Sequence, residues 1–317
     1  MVTSPTVSGY QSDHELPPSD ADGNQLVVFM HGWRMSQWDY DDFSGTMFKR
    51  LYWAGYQGRF ASLRWPTPSS DNYTLLPQAL ADTFSKFTFN DSEHIAFDSA
   101  TGTMQYLEWL RSRFHDYSIN VAAHSQGNLV MMETLKQMLA AGATNVLDNY
   151  VMMQAAVPAQ CYDINVANYY PFLADEGMKP TPNTYFGYPG PINQALRPGR
   201  TIINFFNPLD YAVGTAWEVN QSLNKPDTGY FYLPGDGAYY FSRLVTNPHE
   251  LMPFVARSRS QGAAVLSGIS GAIGGGEVNL NTSFGFAGLP YDHSGEFNRN
   301  VQQVQGFYST LLEKILP

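Results

Sequence analysis

From Leu26 to the end of the chain, short unbroken apolar runs alternate with segments whose apolar residues recur every three or four positions. Leu26-Val27-Val28-Phe29-Met30 is the first such run, and Gly58–Trp65, Tyr117–Ala122, Asn149–Ala156 and Thr201–Phe206 follow it. A strand that is apolar at every position, rather than at every second one, has to be buried on both faces. Between these runs lie a helical stretch at about residues 40–54, the series Met104, Leu107, Leu110, Phe114, and the series Leu129, Met132, Leu135, Leu139. The chain closes on Phe297, Val301, Val304, Tyr308, Leu311 and Ile315. Each series lays an apolar stripe along one side of a helix. Local punctuation agrees: Pro66 and Pro68 stop the second strand, Asp98 or Ser99 is available as a helix cap, and Gly142 suits the end of the helix that holds Leu139. Strands that alternate with helices fold as a mostly parallel central sheet with helices on both faces, an α/β domain.

Two regions interrupt the alternation. Residues 158–200 carry seven prolines, and residues 220–290 are rich in Gly, Tyr and Phe. Loops this long are uncommon in a compact domain, so both read as insertions packed over something. Residues 1–24, rich in Ser, Pro and Asp, read as an irregular lead-in to a domain over 25–317. Within them Asp20-Ala21-Asp22-Gly23-Asn24 has the start of a calcium loop but lacks the later bidentate acid, so a plain turn is expected.

Composition removes several function classes. There are 28 acidic against 18 basic residues, a net charge of -10, and no cluster of Lys or Arg, which argues against a nucleic-acid groove or an anionic-membrane patch. No stretch approaches the roughly 20 apolar residues of a membrane helix. The one cysteine, Cys161, makes no internal disulfide and anchors no zinc cluster. Few lysines and many Asn, Gln, Ser, Thr and Tyr suit a secreted protein, although a cytoplasmic one is not excluded and no signal peptide opens the chain.

The densest chemical signal is Val121-Ala122-Ala123-His124-Ser125-Gln126-Gly127-Asn128, placed between a predicted strand and a predicted helix. A serine on such a turn projects its hydroxyl at the carboxyl edge of the sheet, and the small residues Ala123 and Gly127 flank it where strand and helix crowd. The backbone N–H of Gln126 then opens a helix, where negative charge is favoured. The segment resembles the G-x-S-x-G motif of the α/β-hydrolase superfamily, with Ala for the first Gly. A second stretch, Val27-Val28-Phe29-Met30-His31-Gly32-Trp33, resembles the strand and His-Gly oxyanion loop of esterases and lipases in that superfamily.

The resemblance covers about residues 26–317 apart from the two insertions and implies the α/β-hydrolase fold. It also implies a Ser-His-Asp triad in the chain order serine, acid, histidine, with no metal or organic cofactor. Ser125 is then the nucleophile. Asp210, just past the strand that ends at Phe206, is the candidate acid, with Asp163 second and a turn-capping role for Asp210 as the bland alternative. His293, immediately before the last helix, is the candidate base; His249, inside an insertion, reads as a surface residue. The backbone N–H groups of Trp33 and Gln126 are the candidate oxyanion donors. His31 and His124 are expected to brace loops, and His14, His94 and His115 have no constellation around them.

The expected chemistry is cleavage of a carboxylic ester, as in a carboxylesterase or lipase. Aromatic residues make up 15% of the chain: Trp33, Trp38, Tyr40 and Trp65 lie near the motifs, and many more lie in the insertions. They fill the insertions' own cores, wall a pocket for a bulky apolar or aromatic ester, or do both, with Gly268–Gly276 either a hinge for a lid or a plain flexible loop. The expected partner is thus a small-molecule, lipid or aryl ester, with the oligomeric state open. Two other classes stay open at this point: an acyltransferase using the same acyl-enzyme, and a binding protein that keeps the fold without the chemistry.

Overall fold

A computed structural model of the chain describes residues 2–6, 9–13, 22–73, 75–85, 89–157, 192–207, 210, 278–281 and 293–316. The strands are β1 (Val2–Thr6), β2 (Gly9–Asp13), β3 (Gln25–Met30), β4 (Arg59–Leu63), β5 (Ser118–His124), β6 (Asn149–Met153), β7 (Ile202–Phe206) and β8 (Val278–Asn281). The helices are α1 (Gln37–Trp53), α2 (Gln78–Ser85), α3 (Phe89–Arg113), α4 (Gly127–Ala140), α5 (Gly295–Asn298) and α6 (Val301–Ile315). Among the described residues, eight strands join one sheet in the order β2-β1-β4-β3-β5-β6-β7-β8. Every pairing is parallel except β1 with β2.

The unbroken apolar strands serve two cores at once. In β3, Leu26, Val28 and Met30 face one side, where Leu107 and Leu110 of α3 and Leu129, Met132 and Leu135 of α4 pack. Val27 and Phe29 face the other, against Met47 and Leu51 of α1 and Val304, Tyr308 and Leu311 of α6. Burial of a large apolar side chain stabilises by about 1.5–3 kcal/mol, so two full layers fix the sheet firmly. Helix α1 starts at a capping box: the Asp39 N–H donates to Ser36 Oγ at 3.1 Å, and the Ser36 N–H donates to Asp39 Oδ2 at 3.2 Å. Among the described residues no helix is long and apolar enough to cross a membrane.

Three expectations change. The lead-in is not wholly irregular, because β1 and β2 pair antiparallel and β1 pairs with β4 through Val2–Ser62 and Thr3–Leu63. These strands are recruited by backbone hydrogen bonds at the sheet edge, which leave no apolar periodicity to read. Neither Asp98 nor Ser99 caps a helix, since α3 begins at Phe89. The Ser99 hydroxyl donates to Ile95 O at 2.6 Å and that of Thr103 to Ser99 O at 2.9 Å, the back-bonding by which hydroxyls sit inside a helix. Within the span 220–290, residues 278–281 form β8 beside β7 and so belong to the sheet. The rest of that span, most of 158–200, and with them Cys161, Asp163 and His249, lie outside the described residues.

Candidate active site

Strand β5 ends at His124 and α4 begins at Gly127, so the turn between them is only Ser125 and Gln126. Ser125 has φ +51°, a left-handed conformation that costs a non-glycine residue and persists only when its surroundings enforce it. The enforcement is visible. Ser125 N–H donates to Met153 O at 2.9 Å, and Ser125 O accepts from the Ala156 N–H at 3.0 Å. The Asn128 side-chain amide donates to Ala123 O at 2.9 Å and to Ser125 O at 3.0 Å, and the Tyr150 hydroxyl donates to Asn128 Oδ1 at 2.8 Å. Gly127 is required by a close approach: a Cβ there would run into the carbonyl oxygen of His31. The crowding expected around the elbow therefore comes from the end of β3, not from β5 and α4 alone.

His293 and Asp210 converge on this turn, with His293 lying 168 residues along the chain from Ser125 and 83 from Asp210. His293 Nδ1 lies 2.7 Å from Asp210 Oδ2, and His293 Nε2 lies 2.9 Å from Ser125 Oγ. A carboxylate oxygen accepts, so Nδ1 carries the proton and Nε2 presents its lone pair to the serine hydroxyl. Asp210 is fully buried, and Ser125 and His293 are each 8% exposed.

The segment that carries His293 is held from three sides. His124 Nε2 donates to His293 O at 3.0 Å, with Glu296 Oε1 3.5 Å from the same nitrogen. Burial, helped by the nearby His293, pushes the His124 pKa down to about 3, so His124 works as a neutral donor. From α1, the buried Arg50 guanidinium donates to Glu296 O and Arg299 O. From α6, the Tyr308 hydroxyl donates to Glu296 O at 3.0 Å. Phe297 closes the packing against Phe43, with ring centroids 4.6 Å apart.

The other loop, His31 to Ser36, lies against the elbow; a Cβ on Gly32 would come within 2.9 Å of Ser125 Cβ. Trp65 stacks on His31 at 5.5 Å and donates its indole N–H to His31 O at 2.7 Å. His31 is fully buried, and burial is the main cause of a pKa lowered to about 4. Its neutral ring donates from Nδ1 to Gly32 O at 2.8 Å. That bond orients the Gly32–Trp33 peptide. The peptide is trans, so the Trp33 N–H points away from the captured carbonyl. The bracing expected of His31 and His124 takes these two forms.

A protein-family model described as an alpha/beta hydrolase of unknown function (DUF900) matches residues 14–171. The match spans β3 through β6, including both motif loops and Ser125, and stops before Asp210 and His293. The chain is an α/β hydrolase. No curated protein is significantly similar to it in sequence. Among solved structures it is similar to a cutinase-like protein from Cryptococcus sp., at 12% identity and a TM-score of 0.35, over 94% of this chain and 97% of that one. A second, RedJ with a PEG molecule bound in its active site, is similar at 14% identity and a TM-score of 0.27, over 61% of this chain and 73% of that one.

In this α/β hydrolase several residues around the elbow carry no sequence signal strong enough to assign them a task beforehand. Asn128 stands beside the motif and could have been suspected, because Asn readily bonds nearby backbone. Tyr150 and Arg50 could not, since their partners are 22 and 246 residues distant. His115 stands apart from the site, exposed and paired with Asp116 at 2.8 Å.

Proposed function

We propose that this hydrolase cleaves carboxylic esters through an acyl-enzyme on Ser125. The observation that carries this reading is the unbroken hydrogen-bond chain from Ser125 Oγ through His293 to Asp210. Ser125 Oγ attacks the ester carbonyl carbon while His293 Nε2 takes its proton. Asp210 holds the imidazole in the Nδ1–H tautomer and stabilises it once it is charged. The carbonyl oxygen, now negative, is met by the backbone N–H groups of Trp33 and Gln126, each of the kind that contributes about 2.7–4 kcal/mol in a transition state. His293 then gives its proton to the leaving alcohol, and water repeats the sequence to release the acid. The favoured substrate is a bulky apolar or aromatic ester, with Trp33 and Trp38 nearest the motifs in the chain.

A panel of p-nitrophenyl esters of rising chain length tests this. Ser125→Ala is expected to lose turnover on every member while its circular dichroism stays unchanged. A serine-directed phosphonate is expected to label Ser125 alone. A mutant that keeps most of the activity, or a label on another residue, overturns the nucleophile assignment. If an added alcohol outcompetes water for the acyl group, the enzyme is an acyltransferase instead.

A further inference from the structure

The two backbone groups assigned to the oxyanion belong to loops far apart in sequence, and a buried chain of side chains runs from the residue after Trp33 to the side chain of Gln126. Arg34, the residue after Trp33, donates its backbone N–H to Thr67 Oγ1 at 3.1 Å. Thr67 Oγ1 lies 2.9 Å from Ser92 Oγ, and the Ser92 hydroxyl donates to Gln126 Oε1 at 2.6 Å. Ser92 and Gln126 are fully buried, and Thr67 is 8% exposed. The direction is set at both ends. An amide oxygen only accepts, so Ser92 spends its proton on Gln126 and must accept from Thr67. Thr67 in turn accepts from Arg34, whose N–H only donates. Each hydroxyl thus gives one hydrogen bond and takes one within the relay.

We infer that Thr67 and Ser92 are positioning residues that set the spacing of the oxyanion donors, Trp33 N–H and Gln126 N–H. This rests on the ester-cleavage reading of Ser125. Two features of the backbone give the relay work to do. Arg34 has φ +65°, a left-handed conformation that an arginine adopts only under constraint, and the Thr67 bond supplies that constraint next to the Trp33 peptide. At the other end, α4 starts at Gln126 without a side-chain cap, and the Gln126 side-chain oxygen instead takes the hydrogen bond from Ser92. The segment that supplies Thr67 also supplies Trp65, which binds His31 O. The loop from His31 to Arg34 is therefore gripped at both ends by the residues that follow β4. Helix α3, through Ser92, ties that grip to the elbow.

The test uses Thr67→Val, which keeps the shape and removes both hydrogen bonds, with Ser92→Ala as an independent break and Thr67→Ser as the conservative rescue. The readouts are kcat and KM on the best p-nitrophenyl ester, the rate ratio between that ester and its thiono analogue, and the rate of phosphonate labelling at Ser125. Each break is expected to lower kcat roughly 10- to 100-fold, as a displaced donor does, with KM within about twofold. The oxo-to-thiono preference is expected to shrink, because sulfur accepts these hydrogen bonds poorly. Thr67→Ser should restore most of kcat, and the double break should cost little more than either single one, since both cut the same chain. If Thr67→Val and Ser92→Ala keep wild-type kcat and labelling rates, the relay positions nothing and the inference falls while the ester reading stands. If kcat drops without any change in the thiono ratio and Thr67→Ser fails to rescue it, the two residues are packing only and the inference is equally overturned. If the wild-type protein neither cleaves an ester nor takes the label at Ser125, the ester reading falls and the relay's role falls with it.

Discussion

The two halves of the candidate site are built in different ways. The serine half, from His31 to Ser36 and from Ala123 to Asn128, sits on the two central strands β3 and β5 and is shaped by turns only a few residues long. Its strained serine is held by backbone bonds to Met153 at the end of β6 and to Ala156 just past it, and by Asn128, three residues away. The histidine half, from His293 to Asn300, belongs to no strand. It is a short helical turn suspended between Arg50 of α1, Tyr308 of α6 and His124 of β5. A half seated on the central strands survives loosening elsewhere, because its serine is bonded to Met153 of β6 and to Ala156 just beyond it. A half suspended by long-range donors depends on two helices staying docked.

The largest effect is expected from breaking the serine half at its closest contact. Gly127→Ala places a methyl group against the His31 carbonyl, a backbone atom that cannot swing aside. The elbow and the His31 loop must separate, and kcat/KM on the best ester is expected to fall by at least about 100-fold, as misplacement of reacting groups does. An active Gly127→Ala enzyme would mean that the two loops are not locked together. Acid attacks both halves at once. The folded-state pKa values of His31, about 4, and His124, about 3, lie below the ordinary 6.5, so the unfolded chain binds protons that the folded chain refuses. Stability is therefore greatest above pH 6.5 and is lost as pH falls from there towards 4, by up to about 1.4 kcal/mol per unit for each ring. Melting temperature measured from pH 7.5 to 4.5 checks the slope, and His124→Asn should flatten it. If the His124 ring keeps a charge paired with Glu296, His124→Asn will leave the slope unchanged.

The histidine half is loosened selectively by Arg50→Met, which keeps the apolar stem and removes the donors to Glu296 O and Arg299 O. Hydrogen bonds from a charged donor contribute about 1.5–3 kcal/mol each, and buried carbonyls left without them cost more. A loss of roughly 3 kcal/mol in unfolding free energy is expected, with a lower kcat. Amide exchange should rise over residues 293–300 and stay unchanged over 121–130. Equal loosening of both segments would erase the distinction between the halves.

The same distinction decides what could be read beforehand. The strand–helix alternation was legible because a strand buried on both faces writes its burial at every position, as Leu26 to Met30 does. The elbow was legible because strand, serine and helix are contiguous. Asp210 and His293 are reached through the chain order that the resemblance supplies together with their places, just past the strand that ends at Phe206 and just before the last helix, and the roles given to them remain a proposal. The pair of β1 and β2 is not legible because edge strands recruited by backbone bonds need no apolar code. The early start of α3 is hidden because Ser99 looks like a cap until its hydroxyl is seen bonded back along the helix to Ile95 O. Arg50, Tyr308, Thr67 and Ser92 were invisible for a common reason: each acts across the fold on a backbone or side-chain group that the sequence does not place beside it.

Asn128 gives the smallest expected effect and the finest cut. Its amide donates to the carbonyls of Ala123 and Ser125, and its oxygen takes the Tyr150 hydroxyl. Asn128→Ala leaves two carbonyls and one buried hydroxyl short of a partner, but the carbonyl of Ser125 keeps the N–H groups of Asn128 and Ala156. A loss of about 2 kcal/mol is expected rather than collapse. Tyr150→Phe removes the hydroxyl that steadies Asn128 and should cost less than Asn128→Ala. The double variant should cost little more than Asn128→Ala alone, because the tyrosine acts on the elbow only through the asparagine. Thermal unfolding of the four proteins in that cycle measures the coupling. Full additivity would show that Tyr150 and Asn128 stabilise the fold separately, and the elbow's strain would then be carried by the backbone bonds to Met153 and Ala156 alone.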